Sequence, residues 1–197
     1  VLNGPEWYAA IGTEKSTGPK IFCVSGHVNR PGVYELPLGT PLRTIIDDYA
    51  GGVRHGHTIK AVIPGGVSTN VVLPAQLDVP MSFEGLEAIG TQLGTGGIVV
   101  MDDTTDMVEV ARRTVAFFAH ESCGSCVPCR LGGYRLLETL TRFTEHTATA
   151  DDMQNLQWLA RGISGITFCP LGTGMANPVN ALVHHFDGEF RAHMQVN

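Results

Sequence analysis

No stretch of the 197 residues approaches the ~20 consecutive apolar positions that a membrane helix needs, and no charged-then-apolar leader opens the chain. Direct membrane insertion is therefore not expected, and the chain reads as soluble and unexported. Basic residues are few, 13 Lys and Arg against 19 Asp and Glu, and both halves are acidic. Nucleic-acid binding needs a basic patch, so that class is set aside. There is no internal repeat and no low-complexity tract. No Ser-His-Asp set or carboxylate pair can be argued from the spacing, so no catalytic residue is assigned. An initiator methionine is also lacking: the chain opens Val1-Leu2-Asn3-Gly4, and the expectation is a fragment, a processed form or a partial chain.

What is present points to a mixed fold. Hydrophobic residues make up 43% of the chain, enough for a core, while 24 glycines and 11 prolines demand many turns and argue against a simple helical bundle. Residues 1–19 read as a polar linker. Ile21–Ser25 and Val33–Leu36 are strand-like and flank a Pro/Gly turn, which predicts a hairpin. Thr40-Pro41 opens a helix carrying Leu42, Ile45, Ile46 and Tyr49 on one face, with Pro41 in its first turn and Gly51-Gly52 as its stop. Strands follow at Ile59–Ile63, Asn70–Leu73 and Gly97–Met101. That order predicts a β-grasp (ubiquitin-like) domain over residues 20–103.

Residues 104–197 read as a small helical bundle, making the fold class α+β. One helix runs to about His120, a second starts near Pro128, and a third spans roughly Asp151 to Arg161. A fourth is capped by Asn177 with Pro178 at its first position, carrying Val179, Leu182, Val183, Phe186 and Phe190. The acidic residues Asp102, Asp103, Asp106 and Glu109 are assigned to capping and the helix dipole. Leu93-Gly94-Thr95-Gly96-Gly97 precedes a strand, so it reads as a turn and not a phosphate loop.

The five cysteines carry the chemistry. Cys123, Cys126 and Cys129 form a C-x-x-C-x-x-C run, and Cys169 follows 39 intervening residues later, directly before Pro170. Three evenly spaced thiolates on one loop suit the corners of a 4Fe-4S cluster, with a distant cysteine closing the fourth. Zinc sites more often use two separated pairs, so a structural zinc or ligand-binding interaction module is the alternative. A helix N-terminus near Pro128 favours an anionic group, Arg130 can add a charge, and Gly124 lets the backbone approach. Cys23, in an alternating strand, reads as a small buried hydrophobe. His120 reads as a helix-end surface residue, and His184 and His185 as solvated.

Glu121–Gly132, ESCGSCVPCRLG, resembles the iron-sulfur signature of the NADH-binding flavoprotein subunit of respiratory complex I and its relatives in NAD-linked hydrogenases and formate dehydrogenases. FCVSGHVNRPGVYELPLGT, DYAGG, PGG and TFCPLG extend the likeness over nearly the whole chain. The resemblance implies a 4Fe-4S cluster held by Cys123, Cys126, Cys129 and Cys169, with Leu171, beside Pro170, on the side of an FMN. It implies a part of an NADH:acceptor oxidoreductase that relays single electrons from NADH-reduced FMN to partner iron-sulfur subunits, with quinone as terminal acceptor. The FMN and NAD sites would lie in an upstream domain to which residues 1–19 are the linker. The implied place is cytoplasmic, peripheral on the inner membrane face, or the matrix side in a eukaryote. Asn177-Pro178 is closer to the hydrogenase and formate dehydrogenase relatives, which leaves the host complex open.

Overall fold

The computed structural model describes residues 2–195. The outer limits expected at residues 1 and 197 lie outside the described residues. The chain divides into two compact units, one ending at Thr105 and the other beginning at Asp106, two residues beyond the boundary expected after 103.

In the first unit, α1 spans Gly4–Ala9, β1 Pro19–Gly26 and β2 Gly32–Pro37. The two strands pair antiparallel, with Phe22 opposite Tyr34. Strand β4 (Gly97–Asp102) runs parallel to β1, and β3 (Ile59–Ile63) lies antiparallel to β4, giving the order β2-β1-β4-β3. Alternation decides the faces: Phe22, Val24 and Leu36 turn inward onto a core shared with Ile98 and Val100. Cys23 therefore points the other way and is exposed, which corrects the reading of it as a buried hydrophobe.

Helix α2 (Leu42–Thr44) buries Leu42 and continues as a π turn at Ile45–Tyr49, with Ile45 and Ile46 fully buried. Pro41 precedes this helix in an extended conformation (ψ 140°), so it caps the helix and does not occupy the first turn. Gly51 and Gly52, at φ +74° and +72°, then end it. The strand expected at Asn70–Leu73 is reduced to a bridge between Val72 and Val62. Val71 and Val72 are both buried, so the alternation of a half-buried strand is missing, and Pro74 opens a 3-10 turn over Pro74–Gln76. Helix α3 (Phe83–Ala88), capped by the Ser82 side chain, has too few residues for a periodic signal.

Two polar arrangements correct the sequence reading. Residues 2–19, expected as a linker, are folded onto the unit. The hydroxyls of Thr13 and Ser16 donate to the Glu84 carboxylate at 2.6 and 2.5 Å, and the Phe83 N–H donates to Ser16 Oγ at 3.1 Å. Asp102, expected as a helix-terminus charge, is completely buried in the first unit. Its Oδ1 lies 2.8 Å from His27 Nδ1, Thr104 donates to it at 2.6 Å, and Arg54 pairs with Oδ2. Burial pushes the Asp102 carboxyl up, but the hydrogen bonds from Thr104 and Arg54 and the charge of His27 outweigh it and leave the group well below the ordinary carboxylate range. Asp103 pairs with His57 at 2.9 Å.

The second unit packs α4 (Met107–Glu121) against α5 (Val127–Thr144) and α7 (Leu171–His185), and α6 (Ala150–Ile163) against the same two helices. Asp106 caps α4, its carboxylate accepting from the N–H groups of Val108 and Glu109. Leu136, Leu140, Phe143, Leu156 and Val179 are fully buried between the helices. Helix α7 starts six residues before the expected cap. Asn177 and Pro178 lie inside it, and Met175, Ala176, Pro178 and Val179 are all buried. Burying that stretch against α4 and α6 outweighs the missing Pro178 N–H. The helix stops at Phe186, and Phe190 belongs to a separate α8 (Asp187–Ala192), where it meets Phe143 edge-on at 5.7 Å. Among the described residues no helix is long and apolar enough to cross a membrane.

The Glu84 tie has a pH signature. Hydrogen bonds from Ser16 and then Thr13 hold its carboxyl at about 2, against an ordinary 4.5. A depressed folded value means the tie contributes fully above pH 4.5 and is lost as pH falls towards 2. Amide protection at Phe83 is expected to drop over that window, and to be low already at neutral pH in Glu84→Ala, with Phe22 protection unchanged. Equal protection in both proteins across the range would contradict the anchoring.

Candidate metal centre

Helix α4 ends at Glu121, and Ser122 turns the chain into an extended conformation at ψ 124°. Gly124 sits at φ +80°, where a side chain would be strained, and its carbonyl accepts from Arg130 Nη1 at 2.7 Å. Arg130 therefore braces the loop in addition to bringing charge. Cys126 is the N-cap of α5, and Cys129 lies in its first turn. On the other side, Cys169 directly precedes Pro170, the N-cap of α7. The two cysteine segments thus sit at two helix N-termini, the ends that favour negative charge.

They meet around one cavity. Cys123, Cys126, Cys129, Cys169 and Leu171 line it together with Glu121, Ser122 and Thr167, and its volume is about 90 Å³. This is far below the roughly 300 Å³ from which small-molecule pockets start. A compact inorganic group fits, and a flavin or nucleotide does not. The Phe168 N–H donates to Cys126 Sγ at 3.3 Å, which ties the two segments directly. Cys129 is buried, Cys126 half-buried, and Cys123 and Cys169 exposed; all are free thiols. Hydrogen bonds from Ser125 hold the Cys123 thiol below its ordinary range.

A tetrahedral zinc site at ~2.3 Å per bond brings its sulfurs to about 3.8 Å from one another. Among the described residues, the one group of three or more His, Cys, Asp or Glu ligand atoms within 4.8 Å is His57, Asp102 and Asp103, so no three of the cysteine sulfurs are that close. The four thiols line one cavity from two segments of the chain. The His57 group is itself a poor cation site, because Arg54 already pairs with Asp102.

Of the other residues considered from sequence, His120 is 86% exposed, pairs with Glu121 and does not line the cavity. His184 and His185 are exposed on α7. The sequence reading missed Ser122, Ser125 and Thr167; hydroxyls flanking cysteines were the available signal. It also missed the packing glycines. A Cβ on Gly133 of α5 would lie 3.2 Å from the Met175 side chain of α7, and one on Gly172 would lie 2.6 Å from the Thr167 side chain, whose hydroxyl donates to the Cys169 carbonyl.

A family described as the NADH-ubiquinone oxidoreductase-F iron-sulfur binding region matches residues 109–193, and the SLBB domain family matches residues 20–110. The chain is 46% identical over 195 residues to the second F-type subunit of the NADH-quinone oxidoreductase of Rhizobium meliloti (strain 1021), covering 99% of this chain and 46% of that protein. It is 43% identical to the F-type subunit of the NADH-quinone oxidoreductase of Mycobacterium bovis (strain ATCC BAA-935 / AF2122/97), covering 99% of this chain and 44% of that protein. The chain thus spans about half the length of these relatives. Among solved structures, an NAD+-reducing [NiFe]-hydrogenase in the air-oxidized state superposes with a TM-score of 0.86 at 35% identity, covering 98% of this chain and 33% of that one.

The glycine at 172 gives a test of sign. Gly162 in α6 has open space where its Cβ would be, whereas Gly172 meets Thr167. Gly162→Ala is expected to raise stability by up to about 1 kcal/mol through helix propensity. Gly172→Ala is expected to lower it by about 1–3 kcal/mol through overpacking. Urea denaturation checks both, and equal shifts would contradict the close approach at Cys169.

Proposed function

We propose that this chain, an SLBB domain followed by an iron-sulfur binding region of the NADH-ubiquinone oxidoreductase-F kind, is the cluster-bearing part of an NADH-oxidising flavoprotein subunit. The observation that carries the reading is the ring of four thiols, from two segments, around one small cavity. Cys123, Cys126, Cys129 and Cys169 are the ligands of a 4Fe-4S cluster in this reading. Such a cluster, when bound, takes up and gives off one electron at a time.

The protein's part is binding and tuning. The thiolates hold the cluster, and the Phe168 N–H and the N-termini of α5 and α7 offset the negative charge that four thiolates bring. Leu171, the first residue of α7, closes one wall of the cavity and would face a flavin. The cavity is too small for FMN or NAD, and the chain covers under half of its relatives' length. Both cofactors are therefore assigned to the portion of the subunit that these residues do not include. The chain would pass electrons from that flavin to partner iron-sulfur subunits of a multi-subunit complex, with quinone as final acceptor. Peripheral association with the inner membrane face goes with that assignment. A second host, an NAD-linked hydrogenase, is favoured by the TM-score of 0.86 to such an enzyme.

After anaerobic reconstitution with iron and sulfide, the chain is expected to bind iron and acid-labile sulfide in equal amounts. Cys126→Ser is expected to lose most of both, and Cys23→Ser to keep them. Stoichiometric zinc without sulfide would support the structural-module alternative. The reconstituted chain is expected to show no NADH oxidation, and robust turnover would contradict the assignment of the NADH and FMN sites elsewhere.

A further inference from the structure

Cys129 is the most deeply placed of the four thiols, with 6% of its surface exposed, and the half-buried Ser122 places its Oγ 3.4 Å from Cys129 Sγ. The same oxygen accepts from the Gly124 N–H at 3.3 Å. These two contacts orient the hydroxyl. The Gly124 N–H occupies a lone pair of Oγ, and a cysteine that serves as ligand carries no proton. The one hydrogen available between Ser122 and Cys129 is then the serine's own, directed at sulfur.

We propose that Ser122 is a positioning and tuning residue, whose O–H donates to the Cys129 sulfur and raises the reduction potential of the cluster. The inference rests on the ligand assignment above. Reduction adds negative charge that is shared with the sulfurs, so a donor aimed at one of them stabilises the reduced state more than the oxidised one. The effect is largest where water cannot replace the donor, and Cys129 is buried. Ser125 provides the internal contrast. Its hydroxyl is 3.5 Å from Cys123 Sγ, but both residues are exposed, so water can take over when the hydroxyl is removed. Ser122 thus supplies a hydrogen bond to the least hydrated sulfur, with the Gly124 N–H fixing the direction of its hydroxyl.

The test is a redox titration of the reconstituted 197-residue chain, followed by electron paramagnetic resonance, with iron and sulfide contents measured on the same samples. At the potential where the unsubstituted chain is half reduced, Ser122→Ala is expected to lower the reduced-to-oxidised ratio about five- to tenfold, a tenfold change being 59 mV for one electron. Iron and sulfide are expected to stay at the unsubstituted level, Ser122→Thr to restore the midpoint, and Ser125→Ala to shift it less than Ser122→Ala. An unchanged midpoint in Ser122→Ala, or an equal shift in Ser122→Thr, would overturn the proposal. Loss of the cluster from Ser122→Ala would also overturn it, since the hydroxyl would then be a support of the loop and not a regulator of potential. Absence of any cluster in the unsubstituted chain would instead be a failure of the ligand assignment.

Discussion

The meeting of Cys169 with the three-cysteine loop is the constraint on which the second unit turns. It needs two helix N-termini, those of α5 and α7, at the same small cavity, and a backbone hydrogen bond from Phe168 to Cys126 Sγ links them. Side-chain bulk works against that approach, and two glycines keep it out of close contacts near the thiols. Gly133 faces Met175 and the backbone of Ala119, while Gly172 faces Thr167. The early start of α7 follows from the same demand. A helix beginning at Pro178 would leave the segment after Cys169 without regular structure, whereas one beginning at Leu171 brings its N-terminal end to the thiols.

The charge balance of the site has the same origin. In the proposed ligand role four thiolates would repel one another and be costly to desolvate, and the donors around the four thiols need no countercharge: two helix ends, a backbone N–H and nearby hydroxyls. Arg130 serves the loop's shape by gripping the Gly124 carbonyl. The first unit meets a comparable problem with a guanidinium, an imidazole and a hydroxyl. Its buried Asp102 is matched by Arg54 and His27 and by the Thr104 hydroxyl, all within the same unit.

Features governed by neighbours in the chain were legible in the sequence. The alternation around Phe22 and Val24, the glycine stop at 51–52 and the cysteine spacing at 123–129 are local patterns, and each corresponds to an observed strand, helix end or loop. What was misread depends on distant partners. The Thr13 and Ser16 segment looks like a linker because Glu84, which fastens it, lies 68 residues beyond Ser16. Asp102 looks like a helix-terminus charge because Arg54 is 48 residues away. Cys23 lies in an alternating strand, and the side of that alternation facing the core is set by Phe22 and Val24, which direct Cys23 outward. Pro178 satisfies a local rule for helix starts that burial of Met175 and Val179 overrides.

In the proposed function the four thiols hold one multinuclear cluster and not a single ion. The Mössbauer spectrum of the chain reconstituted with iron-57 and sulfide tests it most directly. A 4Fe-4S cluster is expected to give the signal of delocalised mixed-valence iron pairs at four irons per chain. A single high-spin ferrous or ferric site at one iron per chain, as in a mononuclear tetrathiolate centre, would contradict it.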